Sequence, residues 1–232
     1  HNHNNNHTTS RNRNTHQPTQ LIWIRDTGTG VTANGLHKII QLSYQDPDVI
    51  LINSGIHYTD NDTVLRQLNE TLHRALEWQT KCDARTRTQQ QLNHKHNQRN
   101  CLLLWRTTAP GFPKCDVHQV SGPLQGPHRS SVAERIIRNH SLYTTTAQQH
   151  FHWYDIPSQN VLVEEFLQSY MRHSSLRISI LDFYDLAILR PDGHVRPTPT
   201  GRKQDCLHWC LPGPIDAANT LLVHEMERNF LG

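Results

Sequence analysis

Asp205-Cys206-Leu207-His208-Trp209-Cys210-Leu211-Pro212-Gly213, near the C-terminal end of the 232-residue chain, is the stretch on which the reading turns. A carboxylate three residues ahead of a histidine places both side chains on one side of a single turn, close enough for Asp205 to orient and polarise the His208 imidazole. Those are two members of a hydrolase triad. The bare Asp-x-x-His spacing is more often a surface ion pair. What sets this pair apart is its frame of two cysteines, a following Trp209 and a Leu-Pro-Gly turn.

This stretch, with Pro214-Ile215-Asp216 after it, resembles the DCxHWCLPG-x-x-D signature of the plant trichome-birefringence-like polysaccharide O-acetyltransferases, which belong to the SGNH/GDSL-like PC-esterase group. Leu189-Arg190-Pro191-Asp192-Gly193-His194 is similar to the R-x-D-G-H segment that shortly precedes the Asp-x-x-His motif in that family. Asp48-Val49-Ile50-Leu51-Ile52-Asn53-Ser54-Gly55-Ile56-His57 resembles its DvLVFNTGHWW block, with Asn53 and Gly55 in register and His57 displaced by one position. Arg106-Thr107-Thr108-Ala109-Pro110-Gly111-Phe112 resembles its RT-x-SPxHF block, with Ala109 where the family has Ser and Gly111 where it has His. Those two departures bear on substrate specificity.

The resemblance implies a three-layer, SGNH-hydrolase-like (flavodoxin-like) parallel sheet with helices on both faces. It implies Asp205 and His208 as the catalytic pair and Asn53 as an oxyanion donor, an amide N–H aimed where charge develops in the tetrahedral intermediate. A plain turn-forming Asn at a strand end is the alternative for Asn53. Arg106, at the next strand end, is a candidate to bind an acyl group or sugar hydroxyl; a structural ion pair is the other reading. A pairing of Cys115 with Cys206 is implied too, leaving Cys210 to seek a partner upstream.

Composition narrows the classes. Lys and Arg number 23 against 20 Asp and Glu, scattered along the chain, too mild a balance to argue for nucleic acid. Eighteen histidines fall mostly in polar tracts, and neither they nor the five cysteines follow a zinc-ligand spacing. No metal site is expected. No apolar run approaches the ~20 residues of a membrane span, and the start is not a signal peptide, so a membrane association is expected only through an upstream anchor. Sequons at Asn6, Asn61, Asn69 and Asn139 are compatible with a glycosylated protein of the Golgi lumen or secretory pathway.

Along the chain, residues 1–20 are nearly all polar and read as a disordered tail, ahead of one domain over 21–232. Leu21-Ile22-Trp23-Ile24-Arg25 has strand character, and Leu36, Ile39, Ile40 and Leu42 make a helical stripe. The β-branched run over 48–53 reads as a strand buried on both faces, ending in polar residues where open α/β sheets place ligand crevices. A long amphipathic helix is expected over 61–81, capped by Asp60 or Asn61, with Trp78 in the core. An exposed polar insertion is expected over 83–100, closed by a Cys82–Cys101 bridge. Residues 101–106 form the next buried strand, 112–150 are loop-like with a short helix around 132–138, 161–171 are helical, and 176–181 are a strand. A closing helix over 216–230 starts with Asp216 as its cap.

A triad also needs a nucleophile, which SGNH proteins carry in a Gly-Asp-Ser motif after their first strand, and this sequence has no Gly-Asp-Ser. The expectation is therefore a C-terminal portion lacking that first strand. The implied reaction is acetyl transfer to a polysaccharide or oligosaccharide hydroxyl through a Ser-His-Asp acyl-enzyme, needing no cofactor beyond an acetyl donor of unidentified structure. A carbohydrate acetyl-esterase and a non-catalytic glycan-binding relative are the alternatives.

Overall fold

A computed structural model of the chain describes residues 48–53, 60–93, 101–115, 123–195 and 205–230. The expected tail at 1–20, the strand at 21–25, the helix at 36–42 and His57 lie outside them.

Three short strands form a parallel sheet in the order β1 (Val49–Ile52), β2 (Leu102–Arg106), β3 (Ser179–Leu181). Parallel neighbours need long crossovers. Helix α1 (Asn61–Asn93) joins β1 to β2, and α2 (Arg129–Ile137), α3 (Thr146–His150) and α4 (Ile156–His173) lie between β2 and β3. After β3 come α5 (Phe183–Ala187), a two-stranded antiparallel ribbon of β4 (His194–Val195) with β5 (Asp205–Trp209), and α6 (Pro214–Phe230). Strands alternating with helices in a parallel sheet are the expected α/β pattern.

The main core follows from periodicity. Leu68, Leu72, Ala75, Trp78 and Cys82 recur every three or four residues on one face of α1, and with Val163 and Leu167 of α4 they pack against Ile50, Ile52, Leu103 and Trp105. Trp78 is 1% exposed, as a core residue should be. Gln79, also buried, is satisfied: its amide donates to the carbonyls of Cys101 and Arg177 and accepts from the Arg177 N–H.

Three details differ from the sequence reading. Leu51 is 42% exposed, so β1 buries only its helix-facing side; β2, with a strand on either side, is the one buried on both. The first half of the polar insertion is helical, beyond the expected helix end at 81. It prolongs α1 to Asn93, because Lys81, Ala84 and Arg85 favour a helix and two ion pairs hold it down, Arg85 to Asp48 at 2.7 Å and Arg177 to Asp83 at 2.9 Å. The remainder, 94–100, lies outside the described residues. The Cys82–Cys101 bridge closes the segment as expected. Finally, α6 begins at Pro214, and Asp216 sits inside its first turn, reaching back to accept the Gly213 N–H at 2.6 Å.

Asp60 caps α1, accepting the Thr63 N–H at 2.7 Å. Leu72 sits fully buried at the centre of the α1 face. Leu72→Ala is expected to lower stability by about 2–5 kcal/mol, measured by urea unfolding.

Candidate active site

The Asp205–His208 pair does not sit on a helical turn. It lies on β5, where residues three apart on a flat strand would point to opposite faces. A bulge resolves this. His194 pairs with Trp209 and Val195 with Asp205, so one step along β4 faces four along β5. The Asp205 carboxylate shapes the bulge: Oδ1 accepts the backbone N–H groups of Leu207 at 2.9 Å and His208 at 3.0 Å. That curl brings His208 Nδ1 to 2.5 Å from Oδ2. Nδ1 donates to the carboxylate, which leaves Nε2 as the free base on a side chain 74% exposed. Burial works to raise the Asp205 pKa, but the bond to His208 and the two backbone N–H groups outweigh it, and the net displacement is downward. Asp205 therefore stays ionised at neutral pH.

The Arg190-to-His194 block forms the rear wall of this strand. Arg190 grips Asp192 with two bonds, Nε to Oδ1 at 2.9 Å and Nη2 to Oδ2 at 3.0 Å. The Gly193 carbonyl accepts the Cys210 N–H at 2.8 Å, and a Cβ on Gly193 would press on Pro214 at 3.0 Å and Trp209 at 3.2 Å, so a larger residue would need these neighbours to give by a few tenths of an ångström. His194 is fully buried and stacks on Trp209, centroids 3.9 Å apart. Its Nδ1 meets the carbonyl of His208 at 3.2 Å, which places the proton on Nδ1. The two blocks that stand apart in the sequence are thus one packed unit.

The loop after β2 is stapled to the same strand. Cys115 bonds Cys206, the Phe112 N–H donates to the Cys206 carbonyl at 2.9 Å, and Phe112 is fully buried. Cys210 is a free, exposed thiol.

Asn53 and Arg106 meet at the carboxyl ends of β1 and β2. Arg106 Nη2 donates to Asn53 Oδ1 at 2.6 Å, and Asn53 Nδ2 donates to the Arg106 carbonyl at 2.9 Å and to Thr108 Oγ1 at 3.3 Å. The Arg106 guanidinium lies over the Phe183 ring, 5.1 Å from its centroid, and Phe183 meets Trp209 edge-on at 6.3 Å. Asn53 and Arg106 are therefore linked, through Phe183 and Trp209, to the strand that carries His208.

Other groups at this edge escape sequence reasoning. Asn160 clamps Thr108 by accepting its N–H and donating to its carbonyl, both at 2.9 Å. Thr107 Oγ1 donates to Asp182 at 3.0 Å and accepts the Tyr184 N–H at 2.8 Å. Asn160 carried no signal, being one polar position on an otherwise ordinary helix. His194 did carry one, as the last residue of a recognised block.

His194 Nε2 is buried without a partner. Burial, only partly opposed by the His208 carbonyl and the carboxylates of Asp205 and Asp192, presses its pKa from 6.5 down to about 4. The unfolded chain takes up a proton near pH 6.5 and the folded chain only near pH 4, so stability is full above 6.5 and declines as pH falls between those values. The decline attributable to this residue is about 3 kcal/mol. His194→Phe keeps a ring on Trp209 and removes the titration, and urea unfolding at pH 4 to 6.5 is expected to show a correspondingly flatter dependence.

Over 84 residues the chain is 32% identical to xyloglucan O-acetyltransferase 1 of Arabidopsis thaliana, an alignment covering 32% of the chain and 20% of that protein. It is 39% identical over 88 residues to protein trichome birefringence-like 25 of the same plant, covering 31% and 19%. With xyloglucan O-acetyltransferase 1 of Populus trichocarpa it shares 38% over 87 residues, covering 32% and 20%. The matched part thus spans about a fifth of the length of these relatives. No solved structure matches the chain. A family profile described as PC-Esterase, the GDSL/SGNH-like acyl-esterase family found in Pmr5 and Cas1p, matches residues 25–225, and the chain belongs to that family.

Proposed function

We propose that the chain carries the histidine–aspartate half of the acyl-transfer site of a polysaccharide O-acetyltransferase. The observation that carries the reading is the Asp205–His208 contact, with Nδ1 at 2.5 Å from a carboxylate that two backbone N–H groups also hold. Support for the substrate class comes from relatives named xyloglucan O-acetyltransferase.

A serine attacks the acetyl carbonyl of the donor, and His208 Nε2 takes the hydroxyl proton as the new C–O bond forms. The tetrahedral intermediate collapses, the proton passes from His208 to the departing donor oxygen, and an acetyl-serine remains. A sugar hydroxyl then loses its proton to His208, attacks the acetyl carbon and leaves as the acetate ester, while the proton returns to serine. Asp205 stabilises the imidazolium in both halves. Asn53 donates to the oxyanion by exchanging its longer bond, the one to Thr108, for the intermediate's oxygen.

The sequence contains no Gly-Asp-Ser, and this reading assigns the nucleophilic serine to a segment other than these 232 residues. The outer edge of β1 is unpaired among the described strands, and in a flavodoxin-like sheet the first strand lies beside the third, which suits a further strand adding there. Two disulfides accord with an oxidising compartment, and the Golgi lumen is where such an enzyme would work. Among the described residues no helix is long and apolar enough to cross a membrane, so any anchor is assigned to a segment outside them.

A second reading, hydrolysis of the same acyl-enzyme by water, has the family's description as acyl-esterases behind it. Assay of the complete protein with an acetyl donor, with and without an oligosaccharide acceptor, separates the two. His208→Ala is expected to lower turnover at least about 10³-fold in either case, and Asp205→Asn by about 10³–10⁴-fold through loss of imidazole orientation. Unchanged turnover in His208→Ala would rule out the assignment.

A further inference from the structure

Arg106 is the one charged residue of the central strand, and among the described residues it has no counter-charge. Among the described residues its side chain makes one hydrogen bond, from Nη2 to the neutral Asn53 amide, and one ring contact, with Phe183. No carboxylate lies within ion-pair distance among the described residues. A largely enclosed guanidinium usually has an acidic partner, because desolvating an unpaired charge is costly. Here burial presses the Arg106 pKa downward, with nothing acidic opposing it. The group stays charged all the same, since guanidinium does not lose its proton at any pH the protein survives.

Its donors are not spent either. A guanidinium has five N–H groups, and one is committed to Asn53. Arg106 is only partly buried, and its other donors have no hydrogen-bond partner among the described residues. They lie at the carboxyl edge of β2, where open α/β sheets take their ligands. The geometry is fixed. Asn53 is held in turn by the Arg106 carbonyl and Thr108, and Thr108 is clamped by Asn160, while Phe183 supports the guanidinium plane from below.

We propose that Arg106 is an anion-binding residue whose charge is held open for an oxyanion entering at the sheet edge, with Asn53 as its positioning residue. Two sources share that chemistry: a planar carboxylate, as on a free acid or an acidic sugar, and the tetrahedral oxygen that becomes negative during acyl transfer. The inference deepens the acyl-transfer reading and rests on it for the second source; the binding itself is measurable without turnover.

The test is the melting temperature of the full chain titrated with sodium acetate or with sodium methylphosphonate, a tetrahedral anion, at constant ionic strength held with chloride. Wild type is expected to rise by about 5 °C at saturation, and Arg106→Met not at all. A larger rise with methylphosphonate identifies the intermediate's oxygen as the natural ligand, and a larger rise with acetate identifies a carboxylate. Arg106→Met is also expected to melt no lower than wild type without anion, because it removes an unpaired charge. Arg106→Lys, which keeps the charge and loses the planar fork, serves if the Met variant does not fold, and its shift is expected to be under half that of wild type. An equal shift in wild type and variants, or none in wild type, overturns the proposal. So does an Arg106→Met chain that folds but melts far lower, since that marks the guanidinium as structural. Neither failure touches the assignment of His208, which is read by turnover.

Discussion

The Asp205 carboxylate is the constraint on which the site depends. It accepts from the backbone of Leu207, the backbone of His208 and the His208 ring, so one side chain both bends the strand and orients the base. The two tasks are inseparable, because in an unbent strand the third residue along faces away. The three donors also explain the ionisation state. Each favours the charged carboxylate, and together they overcome partial burial that would otherwise favour the acid.

A bulged, half-exposed strand would not hold this shape alone, and its neighbours supply the rigidity. Behind it, Gly193 and His194 press against Trp209. On the loop side, the Cys115–Cys206 bond and the Phe112 amide fix the strand's second residue. In front, Trp209 reaches Phe183, and Phe183 underlies Arg106, so the ribbon and the parallel sheet meet through aromatic contacts. The result is an imidazole presented on a supported edge and held by the Asp205 carboxylate.

Much of this was legible in the sequence, for identifiable reasons. Alternation of strand and helix patterns gave the parallel α/β sheet, and the spacing of Leu68, Leu72, Ala75 and Trp78 gave the core face of α1. The Cys82–Cys101 bridge followed from the cysteines that flank a polar run, and the Cys115–Cys206 bridge from family resemblance. What composition concealed was context. Val49 to Ile52 reads as doubly buried because apolar runs do not say whether a strand is central, and here β2 holds that place. Polar residues after Cys82 read as an exposed insertion because polarity is common to loops and to solvent-facing helix, and only the ion pairs to Asp48 and Arg177 separate the two. The Asp-x-x-His spacing pointed to the right contact by way of the wrong backbone, since a bulge has no periodicity to read.

The two departures from the family pattern in the loop after β2 each have their own packing context. A Cβ at position 111 would lie 2.3 Å from the Trp153 ring, so Gly111 is required by the tryptophan that covers it. Trp153 is itself 8% exposed and packs with Phe112, Tyr143 and Ile156 in the second core, where it takes up the volume that a larger residue at 111 would claim. Ala109 packs against the cluster of Phe183, Ala187 and Ala218, where a hydroxyl would meet apolar surface. Both substitutions exchange polar side chains on the loop for apolar packing beneath it. The loop keeps its anchors to β5 through the Phe112 amide and the Cys115–Cys206 bond.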